Sequence, residues 1–283
     1  MAFLYFMQAL LNGKWIEGTA PSVAVDDRGF RYGAGIFETI RFEKDAAPLW
    51  DRHMSRLLDT LTFLQWQLPA HFSTEKLLEE TIRTIRKNKI LGSARVRITF
   101  THGTGGYFDG DRKLNVLIEA WPLDPARKEF NTNGWVLGLF DQARKAADRL
   151  ACCKSTSALL YTQAAQYAKS QKWNDALVLN TSGNIADSCI ANVFVLKGDE
   201  LYTTDAAQGA VEGVMQSWWI DRLASDMPVR RGIISPDILQ EADEVFLTNA
   251  LFGIRWVGRI GEREYGHTVS HRLFQEHLRT IFR

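Results

Sequence analysis

Hydrophobic residues in this chain fall in short runs of period two and a few longer runs of period 3.6, so strands and helices are mixed along its length. Residues 3–17 predict a hairpin, with FLYFMQALL and KWIEG meeting at the turn signal Asn12-Gly13. Residues 1–6 are apolar without a basic leader or a small-residue cleavage site, so they predict a first strand and not a signal peptide. Gly33 and Gly35 predict a glycine-rich loop that feeds an alternating strand over residues 36–42. Leu57, Leu58, Leu61 and Leu64 mark the apolar stripe of a helix over 49–64. A second amphipathic helix covers 73–89, with Ser73 as its N-cap. Residues 94–100 and 114–121 alternate as strands around a glycine-rich tip at 101–107, and Pro122-Leu123-Asp124-Pro125 is a natural joint.

The second half repeats the mixture. A strand over 134–140 leads through Arg144 and Lys145 to Lys154, which opens a helix running to Lys172. An apolar strand over 176–179 follows, then a turn that carries Asp187. Strands at 193–196 and 201–204 flank the turn Gly198-Asp199. Gly213 starts a helix that continues through Trp218, Trp219 and Leu223. Residues 243–257 read as a strand and loop, and residues 267–282 as an amphipathic helix on the outside of the molecule. No internal repeat, low-complexity tract or charge block interrupts the pattern.

Composition narrows the choices. The 283 residues suffice for two modest domains, and a net charge of +1 offers no global field for nucleic acid or an acidic membrane. No apolar run is long enough to span a bilayer. Cys152, Cys153 and Cys189 form neither a disulfide framework nor a zinc spacing, which points to a reducing, cytoplasmic setting, with Cys152 and Cys189 buried as small apolar side chains.

The candidate chemistry lies between Lys154 and Phe194. A lysine, a helix, an apolar strand and a turn with one carboxylate can frame a Schiff-base cofactor. The amine makes the covalent bond, and the acid keeps a pyridine nitrogen protonated. The sequence "SGNIADSCIANVF" after that strand, together with DRGFRYGAGIFETIR, HMSRLL and TNAL, resembles the class IV aminotransferase family, the pyridoxal-phosphate enzymes of fold type IV. The resemblance implies an α/β (α+β) fold: a smaller N-terminal domain over 1–121, a linker at 122–128, and a larger cofactor-binding domain over 129–283. It places the cofactor in the cleft between the domains, and it implies a homodimer acting on a small amino-bearing substrate.

The resemblance also assigns roles. Lys154 would hold pyridoxal 5'-phosphate and act as general base once freed. Asp187 would face the pyridine nitrogen, where the family normally has glutamate. Ser157 stands where many members have asparagine. Arg56, the amides of Val214 and Met215, Asn249 and Ala250 would hold the phosphate. Phe37, Arg41, His102 and Tyr107 would line the substrate side. TNAL and the GTGGY tip favour aminodeoxychorismate lyase, which releases pyruvate and leaves 4-aminobenzoate for folate synthesis. A branched-chain or D-amino-acid transaminase is the alternative, and a non-catalytic protein that keeps the fold is a second one.

Overall fold

The computed structural model describes residues 7–20 and 22–282, so the strand expected over residues 1–6 lies outside the described residues. Contacts divide the chain into two compact units. One comprises Met1–Pro125 with Lys154–Ser157, the other Ala126–Cys153 with Ala158–Arg283.

In the first unit, β1 (Gln8–Leu11) and β2 (Lys14–Glu17) pair antiparallel. Asn12 and Gly13 between them take φ of 50° and 77°, the left-handed pair that a tight hairpin turn needs. Helix α1 (Arg28–Tyr32) occupies the stretch expected to be only a loop. Its cap explains it: Asp27 Oδ1 accepts from Phe30 N at 3.0 Å. Then come β3 (Gly35–Glu43), α2 (Trp50–Phe63), α3 (Thr74–Lys87), β4 (Ser93–His102) and β5 (Leu114–Pro122). Among the described residues the sheet runs β2-β1-β5-β4-β3, antiparallel throughout. Ile36, Ile40, Phe42, Val96, Ile98 and Phe100 point to one face and pack with Met54, Leu57 and Leu61 of α2 and Leu77 and Ile85 of α3. The period of two turns Phe37, Thr39 and Arg41 of β3 and Arg95, Arg97 and Thr99 of β4 to the other face.

The second unit is built on a larger curled sheet. Its elements are β6 (Trp135–Lys145), α4 (Leu159–Ser170), β7 (Asp175–Asn180), β8 (Ile185–Ser188), β9 (Asn192–Lys197), β10 (Glu200–Thr204), α5 (Val214–Leu223), β11 (Val229–Gly232), α6 (Ile238–Glu241), β12 (Glu244–Asn249), β13 (Gly253–Ile260) and β14 (Arg263–Glu264). Among the described residues the order is β11-β10-β9-β12-β13-β6-β7-β8, with β14 on β13. The pairs β10–β11, β13–β6 and β6–β7 are parallel, and the others antiparallel. Every residue of β7 and β8 is buried, which is why β7 reads as a continuous apolar run and not as an alternation.

The C-terminal stretch departs from the single outer helix expected. It forms α7 (Thr268–Leu273), a π-helical turn over Phe274–Leu278, and α8 (Arg279–Ile281). The wide turn adds a residue and keeps Phe274, Leu278 and Phe282, spaced four apart, on one buried face.

The connection between α4 and β7 comes unusually close to the sheet at Gly138 of β6. A Cβ there would stand 2.1 Å from Cη2 of Trp173. Gly138→Ala is therefore expected to cost about 1–3 kcal/mol by overpacking. Urea denaturation of Gly138→Ala, Trp173→Leu and the double variant should show the double losing less than the sum of the singles. Strict additivity would mean that the ring does not set the requirement for glycine.

Candidate active site

In the first unit β3 sends Glu38 and Phe37 to opposite faces. Glu38 is buried against α2, where His53 Nδ1 lies 2.7 Å from Oε2 and Arg56 Nε donates to Oε1 at 2.9 Å. Arg56 Nη2 also donates to Oε2, so the guanidinium grips the carboxylate with two nitrogens. Burial pushes Glu38 up, but the Arg56 charge and then His53 outweigh it and bring the acid down to about 2. His53 is pushed below its usual value, first by burial and against the pull of Glu38. A neutral imidazole donates from Nδ1 to the carboxylate, and its Nε2 is then a buried acceptor without a hydrogen-bond partner. Arg56, expected to hold a phosphate, is thus anchored by Glu38, with 14% of its side chain exposed.

Lys154 does not open the helix, contrary to expectation. Phe37 N donates to Lys154 O at 2.9 Å, Thr156 N donates to Gly35 O at 2.8 Å, and Ser155 bridges to Ile36. The segment is held as an extended strap beside β3, and α4 begins only at Leu159. Thr156 Oγ1 fixes the strap further by donating to Gly33 O at 3.0 Å. The Lys154 ammonium lies 4.7 Å from the centre of the Phe37 ring, and the Arg97 guanidinium carbon lies 3.5 Å from the same ring. Burial lowers the Arg97 pKa, with Glu119 opposing. Arg41 is buried and paired with Glu43 at 2.6 Å, and Glu43 also accepts from Ser93.

His102 and Tyr107 sit in a third cluster. The His102 ring stacks on Trp66 at 4.7 Å and nearly parallel, 9° apart. Arg28 Nη1 faces His102 Nδ1 at 3.4 Å and Nη2 donates to Tyr107 O at 3.2 Å. Burial, and then the Arg28 charge, lower the His102 pKa. Tyr107 stacks on Tyr32 at 4.2 Å. The tip itself needs its glycines: Gly103 and Gly105 take φ of 68° and 114°.

In the second unit Asp187 is the centre. The turn Asn180–Asn184, with Gly183 at φ 82°, folds β8 back on β7 and sets Asp187 opposite Val178. Asp187 lies on a four-residue strand and not in the expected turn. Its Oδ2 accepts from Lys145 Nζ at 3.1 Å, Tyr161 OH at 2.8 Å and Val211 N at 3.1 Å. Lys145 Nζ also donates to the Tyr161 oxygen. Burial, and then the Asp187 charge, raise the Tyr161 pKa well above the usual phenol range, so the phenol keeps the proton it donates. Asp187 Oδ1 is buried and has no hydrogen-bond partner.

Val214 and Met215 form the buried first turn of α5, ahead of the first intrahelical bond, which Ser217 N makes to Gly213 O at 2.8 Å. Their amides belong to the end of the helix that lacks internal acceptors and favours anions. Glycine is required at 213, since a Cβ there would stand 1.7 Å from Asn192 Oδ1. Asn249 is engaged in its own turn: Oδ1 accepts from Leu251 N and Phe252 N, and Nδ2 donates to Ile190 O. Its side chain is taken, and Ala250 beside it offers only backbone.

The residues present suit a phosphorylated pyridine aldehyde. Within the second unit, a buried carboxylate oxygen without a partner suits a ring N–H and a glycine-started helix presents amides; within the first unit, a lysine stands beside an aromatic ring and an arginine. The sequence missed Lys145 and Tyr161, whose only signals were a basic pair before Lys154 and a tyrosine on the first turn of α4. It also missed the Glu38–His53 contact and Arg97. Cys152 and Cys189 are half-buried and not fully buried as expected. Burial pushes the Cys152 thiol up to about 11. Among the described residues no cluster could hold a metal and no helix could cross a membrane.

A family model described as Amino-transferase class IV matches residues 35–260. The chain is 30% identical over 266 residues to aminodeoxychorismate lyase of Bacillus subtilis, covering 90% of this chain and 87% of that one. Its fold matches the branched-chain aminotransferase of Thermoproteus uzoniensis with norvaline at a TM-score of 0.86 and 22% identity, over 98% and 95% of the two chains. It also matches the branched-chain amino acid aminotransferase of Escherichia coli at 0.83 and 24% identity, over 97% and 94%. A further branched-chain aminotransferase, solved with pyridoxamine 5'-phosphate, matches at 0.83 and 22% identity over the same shares.

The Glu38 cluster should leave a signature in acid. The folded pKa of His53 is depressed, so protons bind the unfolded chain first, and stability should begin to fall as pH drops below 6.5. Glu38 is ionised in the fold down to about 2, so its contribution, full above 4.5, should drain away between those values. Denaturant titrations from pH 8 to 2 should show both losses. Glu38→Gln should cost about 3 kcal/mol at pH 7 and flatten the lower window. An unchanged lower window in Glu38→Gln would remove this cluster as its source.

Proposed function

The chain belongs to the class IV aminotransferase family, whose members are pyridoxal-phosphate-dependent aminotransferases and lyases, and from that premise we propose that it is a pyridoxal-phosphate enzyme acting as an aminodeoxychorismate lyase. The observation that carries the cofactor reading is the open oxygen of Asp187. The 30% identity to the Bacillus subtilis lyase supports the reaction, as do the TNAL and GTGGY sequences.

When bound, the cofactor supplies an aldehyde for an amine and a ring that accepts the electrons left when a neighbouring carbon loses its proton. Lys154 provides the amine. With its amine free, Lys154 Nζ would be the base that takes the proton from the substrate carbon. Asp187 Oδ1 would accept the ring N–H. In the second unit the amides of Val214 and Met215 would hold the phosphate; Arg56 is the first unit's candidate for it. Arg97, which shares the Phe37 ring with Lys154, is a guanidinium suited to the substrate carboxylate. We take His102, Tyr107 and Arg41 as residues that shape this wall, since His102 faces Arg28, Tyr107 stacks on Tyr32 and Arg41 is paired with Glu43. A homodimer fits the exposed apolar side chains of Val25, Phe30, Tyr107 and Phe108, which lie before and on α1 and on the loop that Arg28 of α1 contacts.

Purified protein loaded with pyridoxal phosphate should be yellow and bleached by borohydride, and Lys154→Ala should lose the fixable colour. Gly213→Ala should weaken cofactor binding about tenfold, because the added Cβ would stand against Asn192 Oδ1 and Asn192 must move. Pyruvate should be released from aminodeoxychorismate, with no keto acid formed from leucine, D-alanine or glutamate. Keto acid alone would establish the transaminase alternative instead. Protein that stays colourless after reconstitution would leave the non-catalytic reading.

A further inference from the structure

Asp187 has three donors on one oxygen and none on the other. One of the three, Lys145, is itself a buried cation. It comes from the end of β6, where the register shift between Phe140 and Lys145 redirects the strand and brings Lys145 opposite Asn180. That main chain is pinned by Thr181 N donating to Lys145 O at 3.0 Å. Tyr161 bridges the ammonium and the carboxylate from α4. The arrangement gives Asp187 a resident counter-charge before any ligand arrives.

A carboxylate carries one negative charge. A ring N–H on Oδ1 would therefore divide it with Lys145 on Oδ2. We propose that Lys145 is a tuning residue whose ammonium shares the Asp187 carboxylate with the cofactor's ring nitrogen and weakens that nitrogen's hold on its proton, while Tyr161 and Val211 N keep Oδ1 turned to receive it. The inference rests on the cofactor reading above and goes beyond it. Lys145 does not touch the reacting atoms and acts through Asp187. Two cations on one carboxylate repel across it, which amounts to a shift on the order of 1–2 pH units at the effective dielectric of a buried site. Tyr161 works in the same direction and more weakly, because a hydrogen bond to the charged form makes a carboxylate less basic.

The test is the 15N resonance of ring-labelled pyridoxal phosphate, followed from pH 6 to 10 in the loaded protein. The parent should lose its ring proton at lower pH than Lys145→Met, by about 1–2 units. Lys145→Arg keeps the charge and should titrate like the parent. Tyr161→Phe should shift in the same direction as Lys145→Met and by less, and it carries the test should Lys145→Met fail to fold. Titrations of the variants that coincide with the parent, or move to lower pH, would overturn the proposal. Failure of the parent to take up the cofactor would instead bring down the cofactor reading itself, and uptake is scored first by borohydride-fixable colour.

Discussion

A carboxylate sealed away from water must be compensated, and the manner of compensation at Asp187 organises much of the second unit. Desolvating an unpaired carboxylate costs several kcal/mol. Here β6 delivers Lys145, α4 delivers Tyr161, and the segment before α5 delivers the amide of Val211. The curled sheet is what lets elements so far apart in the chain meet on one oxygen. Strand β8 is only four residues long, yet all four are buried, and its turn is fixed by Asn180 Oδ1 accepting from Ser182 N and Asn184 N. The backbone is therefore set before the side chain is, which is the condition for a preorganised acceptor.

The period of the apolar positions was enough to read α2, α3 and most strands, because each of those elements buries one continuous face. It failed where the burial was two-sided or the backbone was held by other means. Asp187 looked like a turn residue because β8 is short and follows a glycine turn. Lys154 looked like a helix start because a helix does follow, but the amide and carbonyl bonds between 154–156 and 35–37 hold it extended, and no local pattern encodes a pairing over that distance. Helix α1 was hidden by Gly29 within it and Gly33 just after it, and only the side-chain cap of Asp27 reveals it. The chemistry was legible as residue types in order. The partners were not, since Glu38 with Arg56, or Lys145 with Asp187, are contacts between elements and leave no spacing to find.

Counting the bonds on buried carboxylates separates structural acids from a receptive one. Glu38 has both oxygens engaged, by Arg56 and His53, and is closed. Glu244 has both oxygens on the amides of Val269 and Ser270 and serves as a helix anchor. Asp175 has an open oxygen, as Asp187 does. The two differ in what holds the other side. Asp175 Oδ1 takes the amides of Ala176 and Cys189, no ion pair reaches it among the described residues, and burial pushes its pKa up. Burial therefore disfavours the charged form of this acid, with no cation among the described residues to oppose it. Asp187 has an ammonium at 3.1 Å on its other oxygen. An open oxygen on a paired, buried carboxylate keeps its acceptor capacity, so the pairing of Lys145 with Asp187 is itself a reason to look for a ligand N–H at that point.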